Sequence, residues 1–367
     1  MMRIAVDCRM VGSGGIGSFI SELVPCFLEE NECLLIGTHA QCADFVRLPN
    51  ARFCFCDVRP FSLRELLAFP GDILDEINHC DAYFTPYCNV PGGIEIPIFT
   101  TIHDVVFLDV RGLAGFLGRL ARKMLYQRAV NYSDAVFTVS EFSKERILHH
   151  LRCKRQVVVV HNSAPRYLSE PFADGAPPKK DQILFVGNIK RHKGLKNLLE
   201  AYEAASERSA DFRPRLVIVG NAENFRTGDE ETVRKIREMQ ESGKGIEFTG
   251  RISNDRLRSL YAESRLLVQP SLYEGFGIPP LEAMTVGTRA LISDIPVFRE
   301  IYGHLPVAFF RAGDSGDLAE KLLRSDDSPL SDEETERVRR AYSYKDSADR
   351  IISTLAAFRG TRPGALK

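Results

Sequence analysis

A chain of 367 residues is long enough for two domains of ordinary size. Hydrophobic residues make up 44% and charged residues 26%, which excludes a collagen-like, coiled-coil or wholly disordered chain. Lys plus Arg is 48 against 49 for Asp plus Glu, so the net charge of −1 gives no global basic field for nucleic acid.

The opening MMRIAVDCRM is too short and too polar to read as a signal peptide. No window approaches about 18 uninterrupted apolar residues, so no membrane span is expected. The 9 cysteines are odd in number, none lies beyond Cys153, and no C-x-x-C pair occurs. Reduced thiols in a cytoplasmic protein are therefore expected, rather than a zinc site or a disulfide framework.

Short apolar runs alternate with amphipathic stretches along the whole chain. In the first half the pattern predicts strands near 3–7, 33–37, 52–56, 81–85, 97–101, 134–139 and 156–160. Helices are predicted near 16–29, 62–77, 113–131 and 142–151. Strand–helix alternation of this kind argues for a parallel α/β sheet. Residues 169–180, SEPFADGAPPKK, carry three prolines and no apolar period, and read as an interdomain linker. The second half predicts strands near 182–186, 215–219, 246–249, 265–269 and 289–292. These end in Gly187-Asn188, Gly220-Asn221, Gly250-Arg251, Pro270-Ser271 and Ser293-Asp294. Ligands of open parallel sheets bind beyond the carboxyl ends of strands, so the turn residues sit where a site belongs.

Three motifs follow strands. Gly12-Ser13-Gly14-Gly15-Ile16-Gly17 matches G-x-G-x-x-G and opens a helix, which suits a backbone cradle for phosphate. A plain flexible turn is the alternative. The nicotinamide version is disfavoured, because the second strand ends in Gly37-Thr38-His39 with no acid for a ribose. Gly187 to Gly194 (GNIKRHKG) places three cations just before a helix, where the dipole already disfavours positive charge. A bound diphosphate resolves that conflict; a solvated charged turn is the bland reading. Pro270 to Met284 (PSLYEGFGIPPLEAM) joins a buried strand to a helix. Pro280 suits the first helical turn, and Gly275 and Gly277 let backbone amides approach a ligand. Glu274 and Glu282 stand eight apart. Carboxylates accept hydrogen bonds from sugar hydroxyls, so a sugar and a ribose are natural partners.

EGFGIPPLE resembles the E-x7-E signature of retaining glycosyltransferases of family 4, which have the GT-B fold. AVDCRM with GGIGSF, TIHDVVFLD, VSEFSKERI, VHNSA, FVGNIKRHKGLKNLLEAY and FTGRISNDRLRSLYAES agree with that family in order and spacing, from about residue 2 to about residue 345. The closest flavour is the mannosyltransferase-like branch that assembles polysaccharides.

The resemblance implies two Rossmann-like parallel-sheet domains facing a central cleft. Residues 1–168 would form the acceptor side and 169–343 the nucleotide-sugar side, with a C-terminal helix in 344–367 crossing back. Lys193 matches the lysine that grips the donor diphosphate, and Gly15 the backbone contact from the first domain. Glu274 matches the carboxylate facing the transferred sugar, with Gly275, Phe276 and Gly277 in the same loop, and Glu282 matches the ribose acid. His103 matches the histidine near donor sugar and acceptor, and Arg251 and Ile252 lie where the family holds the base. The catalytic set expected on this basis is Glu274, His103 and Lys193.

Departures are visible. Many relatives have an arginine at the position of Asn188, so Arg191 or Lys190 is the expected substitute cation. Arg289 stands where a proline is usual and reads as local structure. No D-x-D occurs, so no metal and no other cofactor is expected, and protein cations would stabilise the leaving diphosphate.

The implied reaction is transfer of a hexosyl unit, mannosyl as first choice, from a nucleotide diphosphate sugar to a hydroxyl of a glycan or lipid-linked acceptor. Two alternatives stay open: a nicotinamide-dependent oxidoreductase resting on G-x-G-x-x-G, and a non-catalytic sugar-binding scaffold. Nucleic acid is not an expected partner. Residues 113–130 add a further expectation. Leu113, Phe116, Leu117, Leu120, Met124 and Leu125 recur at helical spacing beside Arg119, Arg122, Lys123 and Arg128. Such a helix either covers a sheet or lies on the inner face of a membrane as a peripheral contact.

Overall fold

The computed structural model describes residues 1–173, 175–220, 229–326 and 328–360. Asn221, expected in a strand-end turn, Asp174 of the expected linker and residues 361–367 lie outside the described residues. The chain divides into two compact units, one holding residues 1–163 together with the chain from Ser343 onward, the other Ala164–Tyr342.

The first unit runs β1 (Arg3–Asp7), α1 (Gly14–Glu30), β2 (Glu32–Gly37), α2 (His39–Cys42), β3 (Ala51–Phe55), α3 (Leu63–Leu67) and α4 (Gly71–Asn78). It continues with β4 (Ala82–Thr85), β5 (Ile98–Thr101), α5 (Val106–Asp109), α6 (Phe116–Tyr132), β6 (Ala135–Thr138), α7 (Glu141–His150) and β7 (Val157–Val159). Its seven strands are parallel, in the order β3-β2-β1-β4-β5-β6-β7. The central strands are apolar and buried because helices cover both faces of the sheet.

The second unit runs β8 (Lys180–Val186), α8 (Leu195–Arg208), β9 (Arg215–Val219), α9 (Glu230–Glu241), β10 (Ile246–Gly250), α10 (Asn254–Glu263) and β11 (Ser264–Gln269). Then follow α11 (Pro279–Thr285), β12 (Arg289–Ser293), α12 (Pro296–Tyr302), β13 (Val307–Phe310), α13 (Ser315–Leu323) and α14 (Asp332–Ala341). Six parallel strands take the order β10-β9-β8-β11-β12-β13. The last helix, α15 (Tyr344–Ala357), belongs to the first unit. It inserts Tyr344, Ala348, Ile351 and Leu355 into the core that α1 builds with Phe19, Leu23 and Phe27. Ile351 and Leu355 each contribute roughly 1.5–3 kcal/mol by leaving water, which fixes the C-terminal helix to this unit.

Both sheets reverse strand order at their first strand, β1 in one and β8 in the other. The crevices beyond β1/β4 and β8/β11 are therefore the topological switch points.

The structure corrects several expectations. The helix expected over 62–77 is two helices, because Pro70 disfavours a helical residue before it and caps α4, while Phe69 turns into the core. The helix expected over 113–131 starts at Phe116 after Gly115, and Leu113 is buried in the preceding loop. The sheet of the second unit also gains β13, a short edge strand with half-buried residues and too little alternation to be read from sequence. No described helix is long and apolar enough to cross a membrane. The 9 cysteines are free thiols.

Candidate functional site

The loops after β8 and β11 meet at the switch point of the second unit. After β8 the chain passes Gly187 and Asn188, makes a 3-10 turn over Arg191–Lys193, and enters α8 through Gly194. Gly194 is at φ +67°, and a Cβ there would lie 1.9 Å from the Pro270 carbonyl oxygen. The position thus requires glycine for both its left-handed backbone and its close approach to the β11 loop. The two loops are also stapled by the His192 carbonyl, which accepts hydrogen bonds from Leu272 N at 2.8 Å and Tyr273 N at 3.4 Å. Burial, reinforced by Lys193, lowers the His192 pKa to about 4, so this residue adds no charge to the cationic loop at neutral pH.

That stapling brings together two residues 81 positions apart. Lys193 Nζ donates to Glu274 Oε1 and Oε2, both at 2.7 Å. Glu274 is only 7% exposed, so its charge is matched inside the protein rather than by water. Ser271 Oγ donates to Glu274 Oε1 at 2.7 Å, and the Ser293 hydroxyl donates to the Ser271 carbonyl. The carboxylate is thereby held in one orientation by β11 and β12. Gly277 follows at φ +81°, where a Cβ would sit 2.3 Å from Phe298 Cε1, and its carbonyl accepts from the Tyr302 hydroxyl. The Phe276 side chain is buried, edge-on to Tyr342 at 5.4 Å, which leaves its backbone as the part able to meet a ligand.

Glu282 lies in the first turn of α11, behind Pro279 and Pro280. Its carboxyl accepts from the Tyr261 hydroxyl. Burial raises its pKa to about 7 despite that hydrogen bond, so it changes charge near neutrality. Asn188 is half-buried and Arg191 exposed in the β8 loop. Arg251 and Ile252 follow β10, an edge strand separated from β8 by β9. They share the carboxyl side of the sheet with the other residues but stand two strands from the Lys193–Glu274 pair.

The first unit holds Gly15 and His103. Gly15 is in the opening turn of α1, exposed, with no heavy atom within 4 Å of where a Cβ would stand. This helix start carries no acidic residue. Its first-turn amides are of the kind that receives anions. His103 follows β5. Its Nε2 is 3.0 Å from the Pro86 carbonyl, and a carbonyl only accepts, so Nε2 carries the proton and Nδ1 the lone pair. Burial lowers its pKa to about 4, and its ring meets Phe19 edge-on at 4.9 Å. Asp104 accepts from Val106 N at 3.0 Å and starts the next turn.

Sequence reasoning did not find the partners of these residues. Ser271 was detectable only as a hydroxyl three residues before Glu274, and Tyr261 gave no signal. In the first unit the switch point holds a buried ion cluster that spacing along the chain conceals. Arg9 binds both oxygens of Asp7, at 2.9 and 2.7 Å, and reaches Glu65 at 2.7 Å. Tyr83 donates to Asp7 at 2.9 Å, and the Tyr87 hydroxyl and Asn89 amide donate to Glu65. Two carboxylates and one guanidinium, all nearly inaccessible, tie the β1 end to α3 and the loop after β4. Removing Arg9 would strand two buried carboxylates without a cation, at a cost of roughly 3–5 kcal/mol.

Two Rossmann-like units, each with its loops gathered at a switch point, define the GT-B class of fold. The whole chain matches solved structures of that class. Sucrose-phosphate synthase of Thermosynechococcus elongatus is 18% identical with a TM-score of 0.74, over 98% of this chain and 99% of that one. Anabaena HepE, solved in complex with UDP-glucose, is 15% identical with a TM-score of 0.71, over 97% of this chain and 100% of that one. The family description "Glycosyltransferase Family 4" matches residues 26–164, and "Glycosyl transferases group 1" matches residues 168–346. The chain belongs to glycosyltransferase family 4. Among curated relatives, the O-antigen chain mannosyltransferase B of Escherichia coli is 26% identical over 231 residues, 60% of this chain and 59% of that protein. The chain thus matches a little over half the length of such relatives.

Proposed function

We propose that this protein is a retaining hexosyltransferase, using a nucleotide diphosphate sugar to extend a glycan or lipid-linked acceptor in polysaccharide assembly. The observation that carries the reading is the Lys193–Glu274 pair at the switch point of the second unit, flanked by glycine-bearing loops. The family membership supports transferase chemistry, and the mannosyltransferase relative favours GDP-mannose as the first donor to try. The UDP-glucose complex of HepE favours a sugar nucleotide more generally.

In this reading the bond between the sugar C1 and the diphosphate breaks, and a bond from C1 to the acceptor oxygen forms. The acceptor proton goes to the leaving phosphate on the same face of the sugar. Lys193, Arg191 and the amides of the loops stabilise the charge that develops on the diphosphate, with Asn188 lining the same group. Glu274 faces the transferred sugar, and Glu282 holds the ribose. Gly275, Phe276 and Gly277 contribute backbone, and Arg251 and Ile252 receive the base. Protein cations carry out the neutralisation, without a metal ion. The work is done on the cytoplasmic side, at the membrane where the acceptor is lipid-linked.

The test is a panel of GDP-, UDP- and dTDP-sugars, screened by thermal shift and then by release of nucleoside diphosphate. The product's anomeric configuration is then read by proton NMR. Inversion would contradict retention, and silence with every sugar nucleotide would contradict the activity itself.

A further inference from the structure

In the first unit, α6 is packed only toward its C-terminal end. Only Ala129 and Val130, near its end, are buried, and residues 116–124 are exposed on every side. Of the apolar stripe expected to cover the sheet, Leu113 and Leu125 do face the core. Phe116, Leu117, Leu120 and Met124 do not: they are 82%, 77%, 46% and 65% exposed. At about 100° per residue these four fall in an arc of about 100° on one side of the helix. Lys123 and Arg119 border that arc on one flank, and Arg128 on the other.

The charge around the stripe is one-sided. Between Asp109 and Asp134 the sequence holds Arg111, Arg119, Arg122, Lys123 and Arg128 and no carboxylate. The arginines are held without neutralisation. Arg119 donates to the Leu108 carbonyl and Arg128 to the Val90 carbonyl. The Arg122 guanidinium lies 3.6 Å from the Phe107 ring centroid, and that of Arg128 lies 4.5 Å from the Tyr132 ring centroid. A protein partner that covered this stripe would also have to supply several carboxylates around it. A bilayer surface with anionic headgroups supplies both halves at once, acyl chains for the stripe and phosphates for its flanks.

We infer that residues 116–124 of α6 dock this protein on an anionic lipid bilayer, with Phe116, Leu117, Leu120 and Met124 inserted and Arg119, Lys123 and Arg128 at the headgroups. The role rests on the proposed lipid-linked acceptor, which the docking would present to the transferase; the binding itself is measured without it. The full chain is sedimented with vesicles of phosphatidylcholine alone or with about one third phosphatidylglycerol. Binding to the anionic vesicles should exceed binding to the neutral ones by about tenfold or more, and fall steeply as salt rises. Phe116→Ser/Leu117→Ser should abolish it and Lys123→Glu should weaken it. The melting temperature and thermal shift by a sugar nucleotide should stay unchanged, since these side chains are exposed. The inference is overturned by equal binding to both vesicle types, by no binding, or by full binding of the double variant. A dimer in light scattering that the double variant dissolves would also overturn it, because a second copy then covers the stripe. Vesicle binding without any response to sugar nucleotides would instead sink the transferase reading and leave the docking standing.

Discussion

Lys193 and Glu274 form a bidentate ion pair across two loops, with both carboxylate oxygens 2.7 Å from the ammonium nitrogen. The pair occupies the switch point between β8 and β11. It gives the proposed donor site a built-in exchange: a diphosphate that binds Lys193 competes with a carboxylate already there.

Loss of the cation should therefore be costly twice over. Lys193→Ala should slow turnover by about 10²–10³ and weaken binding of the free nucleoside diphosphate. It also leaves Glu274 buried with Ser271 as its remaining partner, so the melting temperature should fall as well. Steady-state kinetics and calorimetry on the variant check this. Unchanged nucleotide affinity would remove Lys193 from the donor site.

The two carboxylates should separate kinetically. Glu282→Gln should mainly raise the donor KM, because a ribose takes no part in bond making. Glu274→Gln should lower kcat and kcat/KM together, since a carboxylate beside the sugar stabilises positive charge that exists only in the transition state. The same phenotype in both variants would mean the roles are misassigned.

The raised pKa of Glu282, about 7, has a sign that can be worked out. An acid that is harder to ionise when folded binds its proton more tightly in the native state. Its contribution to stability is fully present below the ordinary glutamate value and is lost as pH rises through about 7. Glu282→Gln should thus raise the melting temperature at pH 8 and leave it nearly unchanged at pH 4. The donor KM of the parent should also fall as pH rises from 6 to 8, and that dependence should vanish in the variant. A flat profile in the parent contradicts the assignment.

Much of this architecture is legible in the sequence, for reasons that differ by element. Strands such as RLVIV and QILFV are continuous apolar runs because parallel strands are buried on both faces. The loops of Lys193 and Glu274 stand out because glycine, proline and charge follow buried strands directly. What was hidden is pairing at a distance. Nothing local announces that Glu65 meets Arg9, or that Tyr261 meets Glu282, since each contact is made only when the sheet closes. The break at Pro70 was present in the sequence, but apolar periodicity on both sides of it masked the kink.

Gly194 offers a structural test of loop coupling. A Cβ at this position would collide with the Pro270 carbonyl, and the backbone there is left-handed. Gly194→Ala should lower stability by more than the roughly 1–3 kcal/mol of backbone strain alone, and should weaken nucleotide binding by displacing Lys193. Denaturant unfolding with nucleotide titration reads both effects. A fully stable variant with normal affinity would show the two loops to be independent.

Chelation tests the role given to protein cations. Transfer should survive EDTA at full rate. If activity disappears and Mg²⁺ or Mn²⁺ restores it, a metal performs the neutralisation assigned to Lys193 and Arg191.

The most direct measurement is release of nucleoside diphosphate from a panel of sugar nucleotides by the parent protein and by Lys193→Ala, side by side. At least one GDP-, UDP- or dTDP-sugar should be turned over by the parent, and the variant should be slower by about 10²–10³ on the same donor. Turnover of none of them, or equal turnover by both proteins, would contradict a donor site built on Lys193 and Glu274.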